Sequence, residues 1–256
     1  MADPRSLALA LGVLPFLGFV LVYAKARIAA RRDAAWGSLA GIVAFLGLGH
    51  AMAAVLLDSA LLSRSIGEAT GIVLSVVGLG SGLGAAWWIL ESPSTAMGFG
   101  TARVAWAAAA YLALHSIADG LVLGEAFIGP APSVPLDAAT IGATVIHRGA
   151  EGALVVVPAL LAGWRGSKIL GALSAGLLAI PAAAFVGFVF GTGGPFTSAI
   201  VHLAAVTVAA GVEAGFALVF LAAALVPRAI EAGRGRWIAW MAGAFVLLAL
   251  VHGLVE

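Results

Sequence analysis

The chain has 256 residues, of which 62% are hydrophobic and 10% charged, with a net charge of +1 and a mean hydropathy of +1.12. Soluble domains carry about 25% charged residues, so this composition excludes an ordinary water-soluble fold and describes one polytopic membrane domain over residues 1–256. The absence of cysteine excludes disulfides, thiolate metal sites and cysteine nucleophiles, and the near-neutral total gives no reason to invoke a nucleic-acid partner.

A membrane span needs about 20 mostly apolar residues. Eight runs meet that length, at roughly 6–29, 36–58, 68–90, 102–128, 138–162, 168–191, 196–226 and 236–255. The first run is long for a signal peptide and is followed by the basic cluster “KARIAARR”, so it reads as a retained span. Backbone polar groups in lipid must be satisfied within the segment, and the runs are continuous rather than alternating, which predicts helices and not a barrel. “GLGSGLG” at 78–84 lies inside the third run with no strand before it. It is therefore a helix-packing stripe and not a nucleotide loop. Small-residue faces of this kind permit a homodimer.

Basic residues set orientation. The connections after spans 1, 3, 5 and 7 carry Lys25, Arg27, Arg31, Arg32, Arg103, Arg165, Lys168, Arg228, Arg234 and Arg236, ten in all, whereas the opposite side carries Arg5 and Arg64. The bias places the odd-numbered connections in the cytoplasm and both termini outside a cell membrane, inner or plasma. The basic loops would also meet anionic lipid of the surrounding bilayer.

Ionisable groups at membrane depth are costly and mark pathways or sites. Span 4 contains “HSIADG” (115–120) and span 5 contains “HRGAEG” (147–152). In each, a histidine and an acid are four apart and so share a helix face, and a glycine follows the acid. Two facing helices then converge His115, Asp119, His147 and Glu151 on one point, a nitrogen and oxygen shell suited to Zn²⁺, Fe²⁺, Mn²⁺, Co²⁺ or Cd²⁺. The competing reading is a set of interhelical hydrogen bonds, which two such pairs together make an expensive choice.

These stretches carry a resemblance. “HSIADGLVLGEAF” followed by “HRGAEGALVVVPALLAG” resembles the fourth and fifth helices of the ZIP (Zrt-, Irt-like protein) metal-transporter family, and residues 209–253 resemble its seventh and eighth. The resemblance implies an all-α, eight-helix bundle with both termini extracytoplasmic. It also implies uptake of a divalent transition metal, Zn²⁺ foremost, toward the cytoplasm. His115, Asp119, His147 and Glu151 match the family's primary ligands. Many members hold a second metal with an Asn after the first His, an acid after the second, and a Glu before a Pro in helix 6. Here those places carry Ser116, Arg148 and Ile180. Arginine stays protonated and cannot be a ligand, so the expectation is a single metal site with Arg148 in place of the second cation.

Other polar residues extend a candidate pathway: His50 and Met52 in span 2, Asp58 at its end, Glu125 near the end of span 4, and His202 and Glu213 in span 7. The last two are eleven apart and return to a similar helix face, so they suggest a relay. His252 reads as an interfacial ring. Gly149, Gly152 and Pro158 in span 5 and Pro181 in span 6 permit bends for alternating access. Metal binding requires neutral imidazoles and ionised acids, which predicts pH-dependent affinity. The runner-up readings are a membrane-embedded zinc hydrolase, with His115, His147 and a carboxylate as ligands and Ser116 assisting, and a non-transporting metal sensor or scaffold.

Overall fold

Helices account for nearly all of the computed structural model, which describes residues 13–91, 100–126, 138–191, 199–233 and 235–253; no strand occurs among them. Six helical stretches are long and apolar enough to cross a membrane: Arg32–Ile66, Ala69–Glu91, Thr101–Leu121, Ile141–Leu161, Gly166–Val189 and Ile200–Ala232. Many large apolar side chains point outward, among them Leu56, Trp88, Leu178, Phe185 and Leu250. Such an exterior would be an aggregation liability in water and is the normal lining against lipid.

We number the helices in chain order. α1 covers 14–30, beginning as a tight 3₁₀ winding over Leu14–Ala24. α2 covers 32–66 and loosens to a π-helical stretch at Ala44–Ala51. α3 is Glu68–Glu91, α4 is Thr101–Ala126 and α5 is Ala138–Leu161, which retains Pro158 inside it. α6 comprises Gly166–Leu177 and Ala179–Gly191, interrupted at Leu178. Pro181 lies just beyond that break, and its ring nitrogen cannot donate to the carbonyl four residues back. α7 covers 199–232, with a second π-helical stretch at Phe220–Leu225, and α8 is Arg236–His252.

Glycines choose the partners, because a missing Cβ lets backbones touch. Gly18 of α1 lies on Gly152 of α5, and Gly37 and Gly41 of α2 lie on Trp237 and Met241 of α8. Gly78 and Gly82 of α3 meet Gly211 and Val212 of α7, so one face of the “GLGSGLG” stripe packs as read from sequence, whereas Gly80 and Gly84 meet no neighbour among the described residues. Gly120 and Gly124 of α4 meet Ile180 and Ala184 of α6. The result is four close helix pairs: α1 with α5, α2 with α8, α3 with α7, and α4 with α6.

Two apolar cores fill the space between the pairs. One joins Trp36, Val43 and Leu46 of α2 to Tyr111, Leu154, Phe216, Phe220 and Leu248. The other joins Leu112 of α4 to Val155, Val156 and Leu160 of α5 and to Ile169, Leu173 and Ile180 of α6. α4 and α5 contribute to both cores and form the shared wall between them. The two His…acid…Gly motifs sit on that wall.

Candidate metal centre

Residues Tyr111, His115 and Asp119 are spaced at fours along α4, and His147 and Glu151 are spaced the same way along α5, so each set projects from a single helix face. The glycine after each acid has a local reason. A Cβ on Gly120 would lie 2.6 Å from the Ile180 carbonyl oxygen of α6, and one on Gly152 would collide with the Pro15 carbonyl of α1. The neighbouring helices therefore press against α4 and α5 one residue past Asp119 and Glu151. That contact holds both acid-bearing faces in register toward each other.

The four residues are brought together. His147 Nε2 lies 3.0 Å from Glu151 Oε1, His115 Nε2 lies 3.4 Å from the same oxygen, and His115 Nε2 lies 3.6 Å from Asp119 Oδ2. Ligand atoms of His115, His147 and Glu151 fall within 4.8 Å of one another. Nitrogens and oxygens about 2.0–2.2 Å from one tetrahedral ion stand about 3.3 Å from each other, so these separations are those of ligand edges. His115 and Glu151 are almost fully buried. Among the described residues, His115 Nε2 has no hydrogen-bond partner. A buried ring nitrogen without a partner is an uncommon cost, and it faces the carboxylates.

Asp119 departs from the expectation of four equivalent ligands. Arg148 Nη1 donates to Asp119 Oδ2 at 2.6 Å and to both Glu151 oxygens at 2.9 Å. The guanidinium thus bridges the two carboxylates, and the group whose ligand atoms converge closely enough to hold a metal ion is the trio His115, His147 and Glu151.

Two residues behind the trio complete it. Glu213 of α7 is buried; its Oε1 lies 3.0 Å from His115 Nδ1 and accepts the Tyr111 hydroxyl proton at 3.0 Å. A carboxylate on the far nitrogen fixes an imidazole's tautomer and turns its other nitrogen toward a metal. Glu213 was legible as a buried acid in span 7. Tyr111 was missed, although its place one turn before His115 on the same face is the signal that would have found it.

The remaining candidates separate. His50 lies in the π-helical stretch of α2, 3.1 Å from His252 (Nδ1 to Nε2), with its ring 6.4 Å from that of His115. His252 was expected at the membrane interface; instead its ring lies edge-on to His50 at 4.7 Å and stacks on His147 at 5.7 Å. An apolar helix ending in one polar ring reads as interfacial from sequence alone. Only the packing of α8 on α2 turns that ring inward. Met52, two residues beyond His50, is half-buried. His202 interacts electrostatically with Asp58 of α2, whereas Glu213 pairs with His115 and Tyr111. Ser116 is buried, and its hydroxyl has no hydrogen-bond partner among the described residues. Ile180 is buried in the apolar core and presents its backbone, not a ligand, to α4. The Glu125 side chain lies outside the described residues.

A cavity of about 630 Å³ opens between α1, α2 and α5, lined by Leu21, Arg27, Arg31, Ile42, Ala153 and Val157. It begins within one turn of Glu151 on α5 and reaches the basic connection between α1 and α2. Compared with models of known protein families and with curated proteins, the chain matches none.

Proposed function

We propose that the protein carries divalent transition-metal cations, Zn²⁺ foremost, across a membrane toward the cytoplasm. In this reading α1 and α8 also cross the bilayer, both termini lie outside, and the chain is a divergent relative of the ZIP family it resembles. The observation that carries the reading is the charge and geometry of the buried cluster. Three carboxylates, those of Asp119, Glu151 and Glu213, stand around the single guanidinium of Arg148 and two imidazoles, with ligand atoms of His115, His147 and Glu151 converging on one point. Uncompensated buried charge is strongly unfavourable. A divalent cation would add positive charge to this carboxylate-rich cluster and take His115 Nε2, which makes no hydrogen bond among the described residues, as a ligand.

Arg148 fits the place of a second cation, since it bridges two carboxylates as a second metal ion would. A resident guanidinium also limits the charge of the empty site. The cavity beside Arg27 and Arg31 opens on the basic side, and the break in α6 and the proline in α5 supply places to bend as the site changes sides.

Purified protein in proteoliposomes, offered Zn²⁺, Cd²⁺, Fe²⁺ and Mn²⁺ in parallel, tests the reading. Saturable uptake by the wild type and its loss in His147→Ala is the expected result; binding without uptake overturns transport. A membrane-embedded zinc hydrolase is the second reading, and the three-ligand trio favours it, because catalytic zinc keeps one position open. Metal-dependent hydrolysis of a peptide or ester by the same preparation, without uptake, would select it.

A further inference from the structure

Four of the five histidines of this chain form one contiguous group of rings, yet only two of them belong to the trio. His50 and His252 are the other two, and they are hydrogen-bonded to each other at 3.1 Å. We propose that His50 and His252 form a second metal site, specific for borderline cations of the Zn²⁺ type, which hands its ion to the His115, His147 and Glu151 centre. The hand-over part of this proposal rests on the transport reading above; the binding part does not.

The geometry is that of a ligand pair. His50 Nδ1 and His252 Nε2 stand 3.1 Å apart, close to the roughly 3.3 Å edge of a tetrahedral site with Zn–N bonds of about 2.0–2.1 Å. The two rings are nearly perpendicular, at 81°, rather than stacked, and loss of the shared proton would free both facing nitrogens for an ion. Phe45 supports His252 edge-on with ring centroids 5.4 Å apart, and Phe245 in turn packs on Phe45 at 5.8 Å. An apolar shell of this kind holds ligands in place and strengthens their electrostatic pull.

Position assigns the role. His252 is the last residue of α8, at the end of that helix away from Arg236. The pair therefore lies on the non-basic flank of the trio, with ring separations of 5.7 Å to His147 and 6.4 Å to His115. A single rotation of His252 or His147 is enough to pass an ion across such a gap. His50 has the freedom to adjust because it sits on π-helical backbone, a winding that recurs at functional sites. An all-imidazole pair also discriminates. Mg²⁺ and Ca²⁺ prefer oxygen ligands and hold their water, so the pair screens them out before they reach Glu151.

Zn²⁺ binding to the full-length protein in detergent, measured by equilibrium dialysis and titration calorimetry, decides the matter. The wild type is expected to bind two equivalents. His50→Ala and His252→Ala are each expected to bind one, and His147→Ala one. His252→Gln is the control for a merely structural pair: glutamine can still hydrogen-bond His50 but is a poor zinc ligand, so it should keep a monodisperse protein and still lose one equivalent. Retention of two equivalents by His252→Gln overturns the second site. One equivalent in the wild type, lost in His147→Ala and kept in His252→Gln, overturns the second site while leaving the first standing. No Zn²⁺ bound by the wild type overturns both.

Discussion

Arg148 carries the sharpest consequence at the scale of single residues. Its guanidinium is the counter-ion for Asp119 and Glu151, and removing one partner of a buried ion pair costs about 3–5 kcal/mol. Arg148→Ala should therefore lower thermal stability strongly in metal-free buffer. Added Zn²⁺ should restore most of it, because the divalent ion takes over the same carboxylates; thermal unfolding with and without Zn²⁺ checks this. A variant as unstable with Zn²⁺ as without it would show that the carboxylates are not metal ligands. Glu213 acts through His115 rather than on the ion. Glu213→Gln should weaken Zn²⁺ affinity by roughly 10–100-fold with the stoichiometry unchanged, a distinction that calorimetry reads directly. The pairing of His115 with Glu213 could not be read from the chain, since ninety-eight residues separate them and only α4–α7 packing makes them neighbours.

At the scale of elements, the glycines following the two acids tie the site to its scaffold. Gly120 meets the Ile180 carbonyl and Gly152 meets the Pro15 carbonyl, so a methyl group at either position forces α6 or α1 away. Overpacking of this kind costs about 1–3 kcal/mol. Gly120→Ala and Gly152→Ala should each lower the melting temperature and reduce Zn²⁺ affinity together, whereas Gly142→Ala, where a Cβ meets open space, should change neither. Parallel binding and melting measurements on the three variants test the coupling. The repeated His…acid…Gly pattern was visible in the sequence as a repetition. Its cause was not, because a glycine's lack of side chain says nothing about which distant backbone fills the gap.

For the whole molecule, the absence of cysteine makes topology directly measurable, since any single introduced thiol is the sole target. Ser65 lies at the exposed end of α2 beside Arg64, and Ser167 is exposed at the start of α6 beside Arg165 and Lys168. With the odd-numbered connections cytoplasmic, an impermeant maleimide applied to intact cells should label Ser65→Cys and spare Ser167→Cys until the membrane is opened. The reverse pattern would invert the orientation and with it the direction of uptake.

Composition and hydropathy alone determined that this is an all-helical chain built for lipid, and a four-residue spacing alone determined that each histidine shares a face with its acid. Both follow from local physics: backbone in hydrocarbon must bond to itself, and a helix repeats every 3.6 residues. Which helices pair, that Asp119 pairs with Arg148, that Glu213 orients His115 and that His252 faces inward to His50 were decided only by the tertiary structure. Those choices depend on small-residue surfaces meeting across the bundle, and a one-dimensional pattern holds no measure of which surfaces fit.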